Sequence, residues 1–162
     1  MAIDIFIKID GIPGESTDRS HPNEIEVSSY SWGETNTGAH AFGSGAGVGR
    51  ASFQDLHITT SISKASPSLM LHCASGQHIK NAILTVRKAG SEGAGFDFLK
   101  ITLTDVVVSS FQESASGGGD LPQESISFVF GTIKVEYKQQ KPDGSAGALF
   151  DFGFNLKLNK RV

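Results

Sequence analysis

The chain has 162 residues, of which 38% are hydrophobic and 19% charged, and its 14 basic and 17 acidic residues give a formal net charge of −3. This is the length of one ordinary domain, with a core large enough to be stable without metals or disulfides. Lys and Arg form no cluster that could neutralise a run of phosphates, so we expect no nucleic-acid partner.

The first predicted element is a β-strand at the N-terminus. In "AIDIFIKID", four isoleucines share one face and charged residues take the other, which is a period of two: Ile3, Ile5, Ile7 and Ile9. The stretch has no basic n-region, apolar h-region or cleavage site, so we expect synthesis in the cytoplasm without a signal peptide. All apolar runs are short, so we expect no membrane insertion.

Two further strands follow the turn-forming stretch "DGIPGES". In "NEIEVSSYSWG", Ser29 and Ser31 fall on one face, and Tyr30 and Trp32 fall on the other. In "ASFQDLHITTSI", the alternation predicts three side chains that face inward, namely Leu56, Ile58 and Ile62.

Between these strands lies the Gly-rich stretch "GAHAFGSGAGVGR", which predicts an extended loop at about residues 37–50. A phosphate-binding loop, an interdomain linker and a segment shaped by contacts outside its own fold are the possible interpretations. Its glycines recur every second residue, so the G-x-G-x-x-G spacing fails, and Ser44 stands where a Walker loop needs lysine. The phosphate-binding interpretation is therefore disfavoured.

One segment, "SPSLMLHCASGQ", predicts a short helix at about residues 67–75. Ser66 suits the N-cap, Pro67 the first helical position and Gly76 the residue past the end. A stripe that would pack on a sheet consists of Leu69, Met70, Cys73 and Ala74.

The C-terminal half predicts four more strands, in "AILTVRKAG", "FDFLKITLTDVVVSSF", "ESISFVFGTIKVEYK" and "FDFGFNLKLN". The third of them changes its apolar phase after Phe130, which predicts a β-bulge or sharp bend at Gly131 or Thr132. About seven or eight strands around one helix indicate an all-β fold, a closed or nearly closed barrel or a sandwich, formed by residues 1–162 as a single domain.

Candidate chemistry is sparse. The five histidines and Cys73 include neither a C-x-x-C nor an H-x-x-x-H pair, so we expect no metal site: His21, His40, His57, His72 and His78. Ser44 lacks the nucleophile-elbow context of a hydrolase, and no acid–base pair stands out. We therefore predict no cofactor, no catalytic residues and no enzyme. A monomeric barrel that binds a small ligand or carbohydrate through Tyr30 and Trp32 is the alternative.

The order of these segments resembles the haemolysin-coregulated protein (Hcp) family, the tube proteins of bacterial type VI secretion systems. The resemblance rests on "MAIDIFIKIDGIPGES", "EIEVSSYSWG", the Gly-rich stretch, "QDLHITTSISKASPSLMLHCASGQH", "AILTVRKAG" and "ITLTDVVVSS". No single motif is specific, but their order and spacing are. Agreement runs from the first residue to about Tyr137 and is looser beyond it.

The resemblance implies an Hcp-like β-barrel, similar to phage tail-tube proteins, whose hexameric rings stack into a secreted tube. It implies sheath and spike proteins as partners, effector cargo in the lumen, and export to the extracellular space or a target cell. Ser29 and Ser31 are the implied lumen residues, although both could simply face solvent. The implied ring-stacking residues are His40, Phe42, Gly45, Gly47, Arg50, Gly90 and Lys157, with the turn after "RKAG" and the Lys157 strand on opposing rims. The alternative for the Gly-rich loop is a disordered surface excursion.

Overall fold

The structure is a computed structural model that describes residues 2–36, 50–88 and 95–162. Short turns and alternating apolar residues divide this part of the chain into strands and one helix. In chain order the elements are β1 (Ile3–Ile9), β2 (Ile25–Val27), β3 (Ser29–Ser31), β4 (Glu34–Asn36), β5 (Ala51–Phe53), β6 (Leu56–Ser61), α1 (Ser66–Ser75), β7 (Ile79–Lys88), β8 (Phe96–Ser114), β9 (Gln123–Gln140), β10 (Ala146–Asn155) and β11 (Lys160–Arg161). The predicted all-β class with one short helix is confirmed.

Nine of the strands form one antiparallel sheet. Its order is β11-β10-β9-β8-β7-β1-β2, while β6 pairs with β9 and β3, and β4 pairs with β5 in a separate ribbon. The sheet curls until β2 approaches β6, where the Ser28 amide donates to the Thr59 carbonyl at 2.8 Å. Among the described residues no ladder between β2 and β6 closes the sheet. The barrel is therefore open along this seam.

The inner face of the curled sheet holds the apolar core. In β1, Ile5, Ile7 and Ile9 are buried as the alternation predicts, but Ile3 is 49% exposed. Ile3 is the first residue of β1 and lies beyond the stretch that pairs with β2. Phe6 is also buried, on the opposite face of β1, where its ring stacks on the imidazole of His21.

The helix begins one residue earlier than the sequence predicts. Ser66 is its first residue rather than its N-cap, which is Ala65, and the Ser66 hydroxyl instead accepts the Ser63 amide at 3.0 Å. Gly76 ends the helix in the left-handed conformation, at φ 68°. The predicted four-residue stripe is wrong in part, since Met70 and Ala74 are exposed. Leu69 is buried and Cys73 half-buried because residues four apart in a helix lie nearly in line, whereas adjacent ones diverge by about 100°.

Of the two predicted alternatives at Gly131 or Thr132, a β-bulge or a sharp bend, the bulge is wrong. The β8–β9 register is constant from Leu99/Tyr137 to Val108/Phe128, and its one shift lies at Val108/Ser110. The apolar phase changes at the same level in β8, on either side of Asp105, whose φ is 55°, and there β9 exchanges β6 for β10 as its second partner. Ile62, predicted to face inward, is exposed because it follows the last residue of β6.

Candidate functional site

A polar face covers the outside of four neighbouring strands, β3, β6, β9 and the second half of β8. Because directly paired residues of antiparallel strands project from the same face, the pairing defines rows of side chains across the sheet. The three rows, which we call the hydroxyl face, are Ser61–Gln123–Ser114, Ser29–Thr59–Ser125–Gln112 and Ser31–His57–Ser127–Ser110. None of these rows contains Lys, Arg, Asp or Glu.

Side-chain hydrogen bonds hold the hydroxyl face together across the strands. The hydroxyl oxygens of Ser29 and Thr59 lie 2.6 Å apart. His57 Nδ1 lies 2.8 Å from Ser127 Oγ, and the Gln123 amide donates to Ser61 Oγ at 3.0 Å. The opposite faces of the same strands are buried core, so the orientation of this face is fixed by the alternation.

Both predicted lumen residues lie on this face. Ser29 and Ser31 are exposed and directly oppose Thr59 and His57 of β6. Tyr30 faces the other way and is half-buried against the core, where burial raises the pKa of its hydroxyl. Trp32 also packs against the core. To stack on a ligand, the rings of Tyr30 and Trp32 would both have to be fully exposed. Both pack against the core instead, which disfavours a ligand-stacking platform made of these two residues.

A charged cluster marks one end of the barrel. Asp105 accepts hydrogen bonds from Lys157 Nζ and pairs with His78 Nδ1, each at 2.6 Å. Lys157 and then His78 hold the pKa of Asp105 below its usual value. Arg50 lies alongside, because its guanidinium donates to the Leu156 carbonyl at 3.1 Å. We call Arg50, His78, Asp105 and Lys157 the Asp105 rim; it unites two of the predicted stacking residues.

The opposite end carries the β7–β8 connection. His78 immediately precedes β7 and Lys88 ends it, so the two ends of this strand are roughly 30 Å apart at about 3.3 Å per residue. The described flanks of the connection, Arg87, Lys88 and Gly95, form what we call the turn rim. The other predicted stacking residues lie outside the described residues: His40, Phe42, Gly45, Gly47 and Gly90.

An exposed apolar face on β9 and β10 was not predicted from the sequence. Phe150 pairs with Tyr137 and Phe152 with Val135, on the same side of the sheet as the buried Ile133. Phe150 is 57% exposed and Tyr137 44%. The alternation in "LFDFGF" was a usable signal, but it equally fits a strand covered by its own fold. We call Tyr137, Phe150 and Phe152 the hairpin face.

Neither a metal site nor a membrane span emerges from the described ranges. Within residues 2–36, 50–88 and 95–162, no group of three or more His, Cys, Asp or Glu side chains is placed to hold a metal ion. The same ranges contain no helix with the length and apolar content needed to cross a bilayer.

Comparisons with known proteins agree with this architecture. Residues 6–137 match the family described as "Type VI secretion system effector, Hcp". The chain is 42% identical to "Protein hcp1" of Pseudomonas aeruginosa over 160 residues, covering 98% of each chain. Among solved structures, Hcp1 from Salmonella typhimurium matches with a TM-score of 0.80 and 39% identity over the whole of both chains. A type six secretion system protein matches with a TM-score of 0.91, 34% identity and coverage of 99% and 100%.

Proposed function

Because this chain belongs to the Hcp family of type VI secretion proteins and is a structural subunit of the secretion tube, we propose that six copies form a ring and that rings stack into the tube. Hcp proteins are secreted by the type VI system, and they assemble with themselves. The proposal also covers the number of subunits in a ring, the surfaces through which subunits and rings contact one another, and what the channel holds.

The hydroxyl face supports a channel lining, and it is the observation that carries the proposal. It is broad and neutral, and its side chains satisfy one another, as in the Ser29–Thr59 and His57–Ser127 pairs. A surface with hydrogen-bonding groups but no fixed charge can contact many folded proteins weakly, without the steep attraction or repulsion that charged walls exert. We propose that effector proteins are held in the channel on this face.

The hairpin face supports the contact between neighbouring subunits in a ring. Phe150 and Phe152 extend the apolar side of the sheet beyond the core of their own protomer. Aromatic side chains of this size contribute strongly to association when a partner buries them. A second copy of the chain is that partner, in a heterologous contact that closes after a fixed number of subunits.

The two rims support stacking of rings. The Asp105 rim and the turn rim lie at opposite ends of β7, so a head-to-tail stack would bring them together. The Asp105 rim presents Lys157 and Arg50 to the next ring, and Gly90 belongs to the connection at the other end. His40, Phe42, Gly45 and Gly47 of the Gly-rich segment remain stacking candidates. The sheath and spike of the type VI machine are the proposed outer partners.

We propose further that the chain is made in the cytoplasm and leaves through the apparatus it builds. Its work is assembly and binding, not catalysis. Residues 1–162 act as one Hcp-like unit in this scheme.

Size-exclusion chromatography with light scattering, followed by negative-stain microscopy, tests the ring. The protomer has a mass of 17.2 kDa. A species of six times that mass with a central hole is the expected result. A 17.2 kDa monomer without rings would overturn it and favour the ligand-binding barrel.

A further inference from the structure

A partly buried charge network ties the loop after β1 to the turn rim. His21, which is 7% exposed, lies with Nδ1 2.7 Å from Glu24 Oε2 and with Nε2 3.1 Å from each carboxylate oxygen of Asp97. Asp97 in turn accepts a hydrogen bond from Arg87 Nη1 at 3.0 Å. The Arg87 guanidinium also donates to the Gly95 carbonyl at 3.0 Å. The network therefore joins residues 21–24 to both flanks of the β7–β8 connection.

The geometry favours a doubly protonated imidazole. A neutral ring has one N–H, so it could donate to Glu24 or to Asp97 but would turn a lone pair toward the other carboxylate. With a proton on each nitrogen, both contacts become charge-assisted hydrogen bonds. Burial lowers the pKa of His21, but its bonds to Asp97 and Glu24, together with their charges, outweigh burial and raise the pKa above its usual value.

The loop that carries His21 and Glu24 is itself held by hydrogen bonds to its backbone, so the network positions backbone as well as side chains. Asp18 accepts the amides of Ser20 and His21, at 2.8 and 3.1 Å. The Gly14 amide donates to the Asn23 carbonyl at 2.8 Å. On the other side of the network, a Cβ at Gly95 would overlap the Arg87 guanidinium, so any other residue there would displace the guanidinium from this position.

We propose that doubly protonated His21 is a positioning residue for the turn rim, a latch that fixes residues 14–24 to Arg87, Gly95 and Asp97 and opens when the imidazole loses a proton. The proposal rests on the proposed function for its consequence, which is pH-dependent ring stacking. Opening leaves Asp97 and Glu24 facing a neutral ring, so residues 14–24 no longer brace the turn rim, which is then held by the bonds of Arg87 to Asp97 and Gly95.

Other charged groups around the latch are few and mixed in sign. Glu24 and Asp18 face His21 from its own loop, Arg87 from β7 and Asp97 from β8, while β1 contributes the Phe6 ring and, at the wall of the adjoining cleft, Lys8. The adjoining cleft, of about 300 Å³, adds Lys100, Lys138 and Glu136 at its walls. The two carboxylates in direct contact with the imidazole therefore control its charge.

The sign of the pH effect follows from the raised pKa. The latch contributes its full stability below the unfolded pKa of about 6.5, and the contribution is lost as the pH rises through the higher folded pKa. Wild-type protein is therefore latched below pH 6.5, and the latch opens as the pH rises through the folded pKa.

Hydrogen–deuterium exchange and thermal unfolding of the full chain test this, with His21→Gln as the variant and His72→Gln as the control. His72 bonds only within α1, to the Ser68 carbonyl, among the described contacts. At pH 6.5 we expect His21→Gln to lose exchange protection in residues 14–24 and 95–98, and to lower Tm by roughly 2–4 °C. At pH 9 the difference between wild type and His21→Gln should be smaller than at pH 6.5, and His72→Gln should follow wild type at both values. A deficit of the same size at both values, or no deficit, would overturn the latch.

Asp97→Asn provides a second variant in case His21→Gln does not fold. Loss of the Asp97 charge should let the imidazole lose its proton at lower pH, so protection of residues 14–24 should disappear earlier in the titration than in wild type. An unchanged titration would overturn the latch. Microscopy of wild-type tubes at both pH values gives the separate readout, with shorter stacks expected at pH 9. Equal stacks at both values would remove the link to stacking, while absence of rings at any pH would count against the proposed function alone.

Discussion

His57 and Ser127 are 70 positions apart in the sequence, yet the imidazole Nδ1 and the hydroxyl oxygen lie 2.8 Å apart on neighbouring strands. The pair continues the row that begins at Ser31, and it lies on the side of the sheet opposite to the buried Ile58 and Phe128. Because successive side chains of each strand point to opposite faces, one layer of the sheet carries the hydroxyl face on one side and the core on the other.

Ser31→Gln should weaken cargo retention without disturbing the ring, because a longer amide would project over the hydroxyl face and compete with contacts to His57. The measurement is co-purification of a co-expressed effector with the protein, alongside the ring mass from light scattering. Ser75→Gln, at the exposed end of α1, is the control. Undiminished retention by the Ser31 variant would argue that this face does not line the channel.

Phe150→Ser should weaken ring assembly while leaving the protomer folded, because an exposed ring contributes little to the stability of an isolated chain. Loss of a phenylalanine buried by the neighbour costs about 1.5–3 kcal/mol, which raises the ring dissociation constant roughly 10- to 100-fold. Leu149→Ser is the matched control, since Leu149 is similarly exposed on the opposite face of β10. Mass photometry over a dilution series measures the effect. Equal weakening by both variants would contradict the assignment of the hairpin face.

Phe128→Ala should destabilise the protomer by about 3–5 kcal/mol, because the ring is fully buried and its loss leaves a cavity. Val129→Ala, one residue along β9 and partly exposed on the other face, should change the free energy of unfolding by about 0.5 kcal/mol or less. Urea denaturation gives both values. A reversal of this order would show that the inner and outer faces of β9 are misassigned.

Glu124→Gln should stabilise the protein at neutral pH. Glu124 is buried, and its Oε1 has no hydrogen-bond partner among the described residues. Burial, assisted by the charge of Glu113, raises its pKa above 4.5, although hydrogen bonds from Ser66 and Thr60 oppose the shift. The folded state therefore holds the proton more tightly than the unfolded state, and stability falls as the pH rises from about 4.5 through the folded pKa.

The test is Tm as a function of pH between 4 and 8. Glu124→Gln should flatten the fall in Tm that wild type shows above about pH 4.5. The exposed Glu34→Gln serves as control and should retain the wild-type profile. A Glu124 variant that is less stable at pH 7, with the wild-type slope intact, would rule out this account.

Lys157→Glu should impair stacking but not ring formation, because it reverses a charge at the Asp105 rim and sets a carboxylate against Asp105. Stack length in electron micrographs measures the effect, and light scattering checks that rings persist. Lys160→Glu, on the short β11, provides a charge-matched control. Stacks of wild-type length would remove Lys157 from the interface.

Local patterns in the sequence were sufficient to predict the strands, the helix and the two serines that β3 contributes to the hydroxyl face. Period-two alternation places Ser29 and Ser31 together and buries Ile5, Ile7, Leu56 and Ile58, because successive side chains in a strand point to opposite faces. Pro67 and Gly76 delimit the helix through backbone restrictions that act locally. The order of segments was enough to indicate the Hcp family.

Tertiary structure alone decided which strands became neighbours, because pairing depends on contacts between residues far apart in the chain. It assembled the hydroxyl face by placing β6 between β3 and β9, and β9 changes both its apolar phase and its second partner without a bulge. Ile3 is exposed at the start of β1, although the local pattern of Ile3 matches that of Ile5. The latch is the clearest case: nothing near His21 in the sequence indicates Asp97, and the curled sheet brings the two together across β1 and β7.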